Sequence, residues 1–394
     1  MLQLAALLDA NGIPQDVLTS QPALTHLSQH RTRTAPGQAP EQKCWSRWWP
    51  GKRQPSPAPT TREEATGALR ALDRLSLIDH APITSHHAVR IHQLVQRATR
   101  DTLDPGELDQ LARTAADALT AAWPDVESDT ELTQALRANT DALTAHAEDA
   151  LYRPDVHPVL YRTGESLGNF GQVTAAINHF RHLISAAQQC LGLDHLDTLA
   201  ARSNLALWRG EAGNPDSAAA AFKGILADCL RVLGPDHPHT LAAKSNLAHW
   251  RGEAGNVAGA EATFKEVLAD CLRVLGPDHR HTLSARGELA HSRGGGEAGD
   301  VAGATAAFKG ILADCLRVLG PRSSEAGNNS NSGSPPARCN FRSRSTSATV
   351  LISPRRIAGR FGRGVFDSQS GTRLDPPKSA RTRRCKAAGQ ASYR

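Results

Sequence analysis

Apolar residues recur at steps of three and four through the C-terminal half of the chain, which is the spacing of a helix with one buried face. The clearest stripe consists of Ala260, Phe264, Val267, Leu268, Cys271, Leu272 and Leu275. Just before it, Gly255 is suited to end a helix in the left-handed conformation, and Asn256 is suited to cap the helix that follows. The pattern therefore predicts pairs of helices joined by tight glycine turns.

The predicted helix pairs repeat with a period of 42 residues. Each begins after a joint of the form Leu-Gly-X-Asp-His, and these joints start at Leu191, Leu233 and Leu275. A degenerate earlier unit precedes them, and a fourth copy of the joint breaks off after Pro321. Such a period is typical of stacked repeat proteins, in which each unit buries the apolar stripe of its neighbour. The sequence therefore predicts an all-α solenoid with about four hairpins over residues 155–321.

Two motifs in each unit point to a family. The first helix of each pair, here called the A helix, carries Asn204-Leu205-Ala206 and Asn246-Leu247-Ala248. The second, the B helix, has an alanine followed four residues later by a phenylalanine: Ala218 and Phe222, Ala260 and Phe264, Ala304 and Phe308. The units resemble tetratricopeptide repeats of the long type found in kinesin light chains and in many actinobacterial signalling proteins. The resemblance implies a right-handed superhelix. This chain departs from the family at one position of the A helix, where Arg209, Arg251 and Arg293 replace an aromatic residue.

The resemblance also implies a binding groove, because in tetratricopeptide folds the A helices line a concave face whose asparagines hold the backbone of a peptide. The matching residues here are Asn204, Asn246, Ser203, Ser245, His249, His291 and Glu288, the last replacing asparagine in the third copy. In the alternative interpretation, Asn204 and Asn246 hydrogen-bond between neighbouring helices. We expect Trp208 and Trp250 to pack between units rather than to contact a ligand.

Residues 1–103 are predicted to form a winged-helix-like region. Helical patterns cover residues 2–8, 62–77 and 89–103, and a small wing is expected over residues 78–88. An insertion at residues 28–61, which contains Trp45, Trp48 and Trp49, is predicted to be disordered. Alternatively, its basic and aromatic residues contact nucleic acid or anchor a partner. Residues 104–154 are rich in alanine and predict a helical bridge to the repeats.

Residues 2–14, 68–78 and 90–96 are similar to the winged-helix segment that follows the nucleotide-binding module of NB-ARC-type STAND ATPases. In that family a histidine contacts the phosphates of ADP, and the degenerate match in this sequence is His92. The chain contains no Gly-x-x-x-x-Gly-Lys-Ser/Thr motif, whose backbone amides cradle phosphates in such proteins. The resemblance therefore implies the back half of a switch protein that lacks its ATPase module, and we expect no bound cofactor.

The net charge of +6 conceals an asymmetry along the chain. Residues 322–394 hold 13 Arg and 2 Lys against three acidic residues, a net +12, which leaves −6 for residues 1–321. We expect this tail, rich in Ser, Arg, Pro and Gly, to be disordered. Three explanations stay open for it: a frameshifted or fused sequence, a basic tail that binds RNA, DNA or acidic surfaces, and an inert solvated tail.

The aspartates, histidines and cysteines that recur in the repeats could bind a metal or catalyse a reaction, but a structural role explains them better. Asp and His recur together at each joint, but successive repeats lie about 10 Å apart, too far to share a metal ion at about 2 Å. Capping of helices is the better interpretation.

Cys229, Cys271 and Cys315 occupy one inward position of successive repeats, so we expect reduced core thiols in a cytoplasmic protein. No catalytic pattern is recognisable, and no apolar run is long enough to predict a membrane span.

The sequence thus predicts a non-catalytic scaffold that binds a protein or peptide, as a regulatory fragment of a STAND-type signalling protein. One alternative is a transcriptional regulator that binds DNA through residues 1–150, although its predicted winged part offers few basic residues beyond Arg90, Arg97 and Arg100. The other alternative is a nucleotide-dependent switch that acts with a separate ATPase module.

Overall fold

The computed structural model describes residues 1–30, 59–84, 86–294 and 301–319. Most of the predicted insertion and all of the basic tail lie outside these residues. The first seven helices are α1 (Leu2–Ala5), α2 (Gln15–Leu18), α3 (Gln21–Gln29), α4 (Arg62–Arg74), α5 (Gln93–Arg100), α6 (Pro105–Ala122) and α7 (Thr130–Ala147). Strands β1 (Asp79–His80) and β2 (Val89–Arg90) separate α4 from α5, and a 3-10 turn at Asp149–Tyr152 follows α7.

Eight further helices make up the repeats. They are α8 (Pro158–Asn169), α9 (Val173–Leu191), α10 (Leu196–Glu211), α11 (Pro215–Val232), α12 (Pro238–Glu253), α13 (Val257–Leu275), α14 (Arg280–Gly294) and α15 (Val301–Leu319). They form four successive hairpins in the described part of the chain, with α8, α10, α12 and α14 as A helices. The predicted all-α fold of stacked hairpins is therefore confirmed.

A small β-hairpin stands where the wing is expected. The strands β1 and β2 run antiparallel, with Asp79 opposite Arg90 and His80 opposite Val89. Val89 also exchanges two backbone hydrogen bonds with Ile13, of 2.8 and 3.1 Å. The helix predicted over residues 89–103 was therefore wrong at its start: Val89 is a buried strand residue, and the helix begins only after His92, whose Nδ1 accepts a hydrogen bond from the Leu94 amide.

The Phe stripe of the B helices lies in the core of the repeats. Phe180, Phe222 and Phe264 are buried, and so are the alanines four residues before each of them. Phe308, in the last hairpin, is only half-buried. The turns between helices use glycines with positive φ, such as Gly213 at 91° and Gly255 at 100°. A side chain with a Cβ is strained in this conformation, so these glycines define where each A helix ends.

Histidine, rather than aspartate, caps the A helix at each joint. The Nδ1 atoms of His195, His237 and His279 accept a hydrogen bond from the backbone amide two residues on, each at 3.2 Å. The aspartate before each histidine instead binds an arginine of the following B helix. Arg231 donates two hydrogen bonds to Asp194, of 2.6 and 3.0 Å, and Arg273 and Arg317 repeat this contact with Asp236 and Asp278.

These joint ion pairs fix geometry more than they stabilise the fold. The side chains of Arg231 and Asp194 are 57% and 58% exposed, and ion pairs that water surrounds contribute little to stability. Their bidentate form nevertheless sets the orientation of each B helix on the joint before it. Together with the histidine caps, they give the recurring Asp-His pair a structural role.

Tryptophan and glycine interlock between successive A helices. A methyl group placed on Gly168 would overlap the indole of Trp208, and one on Gly210 would overlap the indole of Trp250. Both tryptophans are buried, as expected for residues that pack between units. The last described unit has Ser292 at the corresponding position, so Gly252 is not covered by an indole and is half-exposed.

The thiols of Cys229 and Cys271 are buried and unbridged. Burial raises the pKa of each thiol to about 11, because the thiolate would lose its solvation. This agrees with core thiols that stay protonated at neutral pH, whereas the side chain of Cys315 lies outside the described residues. Among the helices that the structure describes, none is long and apolar enough to cross a membrane.

The close contact between Gly210 and the Trp250 indole predicts the effect of a mutation. We expect Gly210→Ala to lower the free energy of unfolding by about 1–3 kcal/mol, because the added methyl group overpacks the Trp250 indole. This loss should outweigh the gain of about 1 kcal/mol in helix propensity. Urea denaturation followed by far-UV circular dichroism measures the effect.

The matched control is Gly224→Ala in α11, where an added methyl group would meet nothing within 4 Å. That variant should be as stable as the parent or slightly more stable. Equal urea midpoints for the two variants would show that the Trp250 indole leaves room for a side chain at position 210.

Candidate functional site

The expected groove residues fall into columns along the A helices, because positions 42 residues apart occupy the same place in successive units. One column consists of Arg162, Asn204, Asn246 and Glu288, and a second of Glu165, Leu207, His249 and His291. The structure places all eight on α8, α10, α12 and α14. A ligand that lay across the A helices would therefore meet a regular series of side chains.

The two asparagines lie at the bottom of this surface. Asn204 is 3% exposed and Asn246 is 4% exposed. The Asn204 amide donates a hydrogen bond of 3.1 Å to the Ala200 carbonyl of its own helix, and the neighbouring Ser203 hydroxyl does the same to Leu199 at 3.0 Å. This hydrogen bond of the Asn204 side chain thus stays within one helix and does not bridge two helices.

The surface becomes more open towards the last unit. Ala200 is buried in α10, its counterpart Ala242 is half-buried in α12, and Ser284 is exposed in α14. Ser245, His249 and His291 are half-buried. Among the expected groove residues, Ser245, His249 and His291 are therefore the most accessible.

Glu288 has a partner within the chain. Its Oε2 atom lies 3.1 Å from Nδ1 of His249, and the Glu288 side chain is only 9% exposed. A buried carboxylate without such a contact would be costly. The replacement of asparagine by Glu288 therefore adds a polar contact between α12 and α14, and interrupts the asparagine column at the same point.

The N-terminal end of the columns is acidic, which the sequence analysis missed. Arg162, in the asparagine column, donates a hydrogen bond of 2.6 Å to the Pro124 carbonyl and lies 3.4 Å from the carboxylate of Glu127. Burial raises the pKa of Glu165 to about 7, and the nearby Glu127 adds to this effect, while Arg162 opposes it. Counting back 42 residues from Asn204 and Leu207 would have identified Arg162 and Glu165.

His92 lies apart from the repeats, at the exposed N-terminus of α5. It lines a cleft of about 590 Å³ together with Arg90, Asp73 and Asp79. The two carboxylates oppose the binding of phosphate, and no group of three or more potential metal ligands is found among the described residues. The lining of the cleft therefore combines Arg90 and His92 with two carboxylates.

The two arginines of α5 have partners within the chain. The Arg100 guanidinium donates a hydrogen bond of 2.6 Å to the Ala6 carbonyl, and Arg97 lies 3.9 Å from the Asp101 carboxylate. Helix α5 therefore does not present a row of free cations of the kind that a DNA recognition helix uses.

Two family models match the repeat region of the chain. A family model described as tetratricopeptide repeat matches residues 157–227, and a second model with the same description matches residues 240–281. No curated protein matches the chain.

Among solved structures, two from Podosopora anserina, described as a putative kinesin light chain with nearly identical TPR-like repeats, are each 17% identical to this chain. They cover 58% of it and 94% and 95% of their own lengths, with TM-scores of 0.32 and 0.31. BtubC (BKLC) from P. vanneervenii is 14% identical, covers 61% of this chain and 92% of its own, and has a TM-score of 0.38.

Proposed function

We propose that this chain, which carries tetratricopeptide repeats, is a non-catalytic scaffold that binds a protein or peptide across its A helices. The observation that carries the proposal is the pair of columns spaced by 42 residues along the A helices, in which the side chains of His249 and His291 stay partly exposed. A scaffold needs such a surface and no catalytic group. The free, buried thiols suit a reducing compartment such as the cytoplasm.

We assign to Asn204 and Asn246 the role of binding the backbone of the peptide. The Asn204 amide donates to a carbonyl of its own helix, at 3.1 Å. A peptide carbonyl that reached this buried amide would exchange one hydrogen bond for another. Ser203, Ser245, His249, His291 and Glu288 would then contact the side chains of the peptide.

Selection of random displayed peptides on the immobilised full chain tests this assignment. We expect the selected peptides to bind the variant Asn204→Ala/Asn246→Ala at least about tenfold more weakly, a loss of about 1.4 kcal/mol. The matched control, Asn178→Ala, removes an exposed amide from a B helix and should bind like the parent.

Far-UV circular dichroism must show that the double variant keeps its helices. Peptides that bind all three proteins equally would refute the asparagine assignment. If no peptide is enriched over an unrelated helical protein, the scaffold function itself is wrong.

We further propose that residues 1–103 are the regulatory part of a STAND-type protein. The hairpin of β1 and β2 at the expected wing and the position of His92 beside a cleft support this role. Because the sequence lacks a phosphate-binding loop, isothermal titration of the chain alone with ADP should give no binding heat. Saturable binding of ADP that His92→Ala abolishes would instead favour a nucleotide-dependent switch.

A further inference from the structure

Two carboxylates and one guanidinium lie together at the N-terminal end of the columns. Oε1 of Glu127 accepts a hydrogen bond of 2.7 Å from the Trp123 indole and lies 3.4 Å from the Arg162 guanidinium. The same guanidinium donates a hydrogen bond of 2.6 Å to the Pro124 carbonyl. Arg162 is therefore held beside Glu127, and its single charge offsets one of the two carboxylates. The other carboxylate is that of Glu165, three residues later on α8.

The Glu165 carboxylate lacks a hydrogen-bond donor among the residues that the structure describes. Its side chain is half-buried. Oε2 of Glu127, whose side chain is only 3% exposed, is likewise buried without a donor in the described part of the chain. A buried carboxylate oxygen is costly to leave unpaired. When both carboxyl groups are ionised, the cluster therefore has one negative charge that no neighbouring cation offsets.

The helices packed against α8 do not supply the missing cation. Asp117 of α6 lies 3.3 Å from the ring of the N-cap histidine, Arg137 of α7 lies over the ring of the C-cap residue, and His179 of α9 has a ring nitrogen 2.7 Å from a carbonyl of α8. Burial raises the pKa of Glu165 to about 7, Arg162 opposes this shift, and Glu127 adds to it. Near neutral pH the Glu165 carboxyl is therefore divided between its two protonation states.

We propose that Glu165, supported by the charge of Glu127, binds the cationic side chain of an arginine or lysine where the ligand crosses α8. This inference rests on the proposed scaffold function and adds the chemical class of one ligand residue. A cation there would supply the donor that the carboxylate lacks, and a charged hydrogen bond in a half-buried place is stronger than one in water.

The same site also gives the ligand a direction along the columns. The positions that correspond to Glu165 in the later A helices are Leu207, His249 and His291, and none of them is acidic. Glu288, at the other end of the columns, is already 3.1 Å from His249. The basic residue of the ligand therefore lies at the α8 end of the groove rather than at the α14 end.

Selection of random displayed peptides at pH 8 on the immobilised full chain tests this site. We expect arginine or lysine to be enriched at one position of the selected peptides, and this enrichment to be lost on the variant Glu165→Gln. A second variant, Glu165→Leu, takes the side chain that Leu207 has in α10 and should lose it too. The matched control Glu63→Gln neutralises an exposed carboxylate of α4 and should keep it.

A selected peptide, synthesised with an acetylated N-terminus, then gives the size of the contact. Replacing its basic residue by uncharged citrulline or norleucine should weaken binding to the parent at least about tenfold. Binding of the original peptide should tighten about tenfold from pH 6 to pH 8, because the cation binds the ionised form of a carboxyl whose pKa is about 7. Glu165→Gln should show neither effect, with its helix content checked by circular dichroism.

The outcomes separate this inference from the scaffold function. Selected peptides without a basic residue, or peptides that bind parent and Glu165→Gln equally, would overturn the cation site and leave the scaffold function in place. If no peptide is enriched over an unrelated helical protein, both are wrong.

Discussion

Burial of the B-helix phenylalanines between neighbouring hairpins is the interaction on which the rest of this structure depends. A single pair of helices cannot hide its apolar stripe, and truncating one buried phenylalanine costs about 3–5 kcal/mol in typical cores. Phe180, Phe222 and Phe264 are buried because a further hairpin follows each of them. Phe308 has no described A helix after it and is only half-buried. Stability therefore belongs to the interfaces between units rather than to any one unit.

Smaller contacts fix how the hairpins are placed. Histidine caps and bidentate Arg–Asp pairs set the joints, and the indoles of Trp208 and Trp250 set the distance between A helices by resting on glycines. The last unit lacks this indole, has Ser292 instead, and relies on the contact between His249 and Glu288. The A helices are thus more tightly interlocked from α8 to α12 than at α14, where Ser284 is also exposed.

Much of the fold followed from the sequence because the period of 42 residues repeats both the apolar stripe and the turn glycines. The stripe predicted the burial of Phe222, and Gly213 and Gly255 marked the ends of A helices by a conformation that glycine adopts without strain. Contacts between residues far apart in sequence were less predictable. Nothing local indicates that Arg231 binds Asp194, or that Val89 pairs with Ile13 instead of starting a helix.

The candidate site was predictable in position but not in environment. The family resemblance selected Asn204 and Asn246, and the register of the repeats placed them in one column. Their burial and the acidic cluster around Glu165 depend on how closely the A helices and the bridge helices pack, which no periodicity encodes. The period locates Arg162, but the first unit shares so few residues with the later ones that its identity does not stand out as part of a column.

Native-state amide hydrogen exchange of the Phe222→Ala variant tests most directly whether each hairpin depends on its neighbours. The account predicts that protection falls in α11 and also in α10 and α12, which pack against it, whereas Phe308→Ala affects α14 and α15 alone. If Phe222→Ala left the amides of α12 as protected as in the parent chain, the hairpins would be independently stable and the central claim would be contradicted.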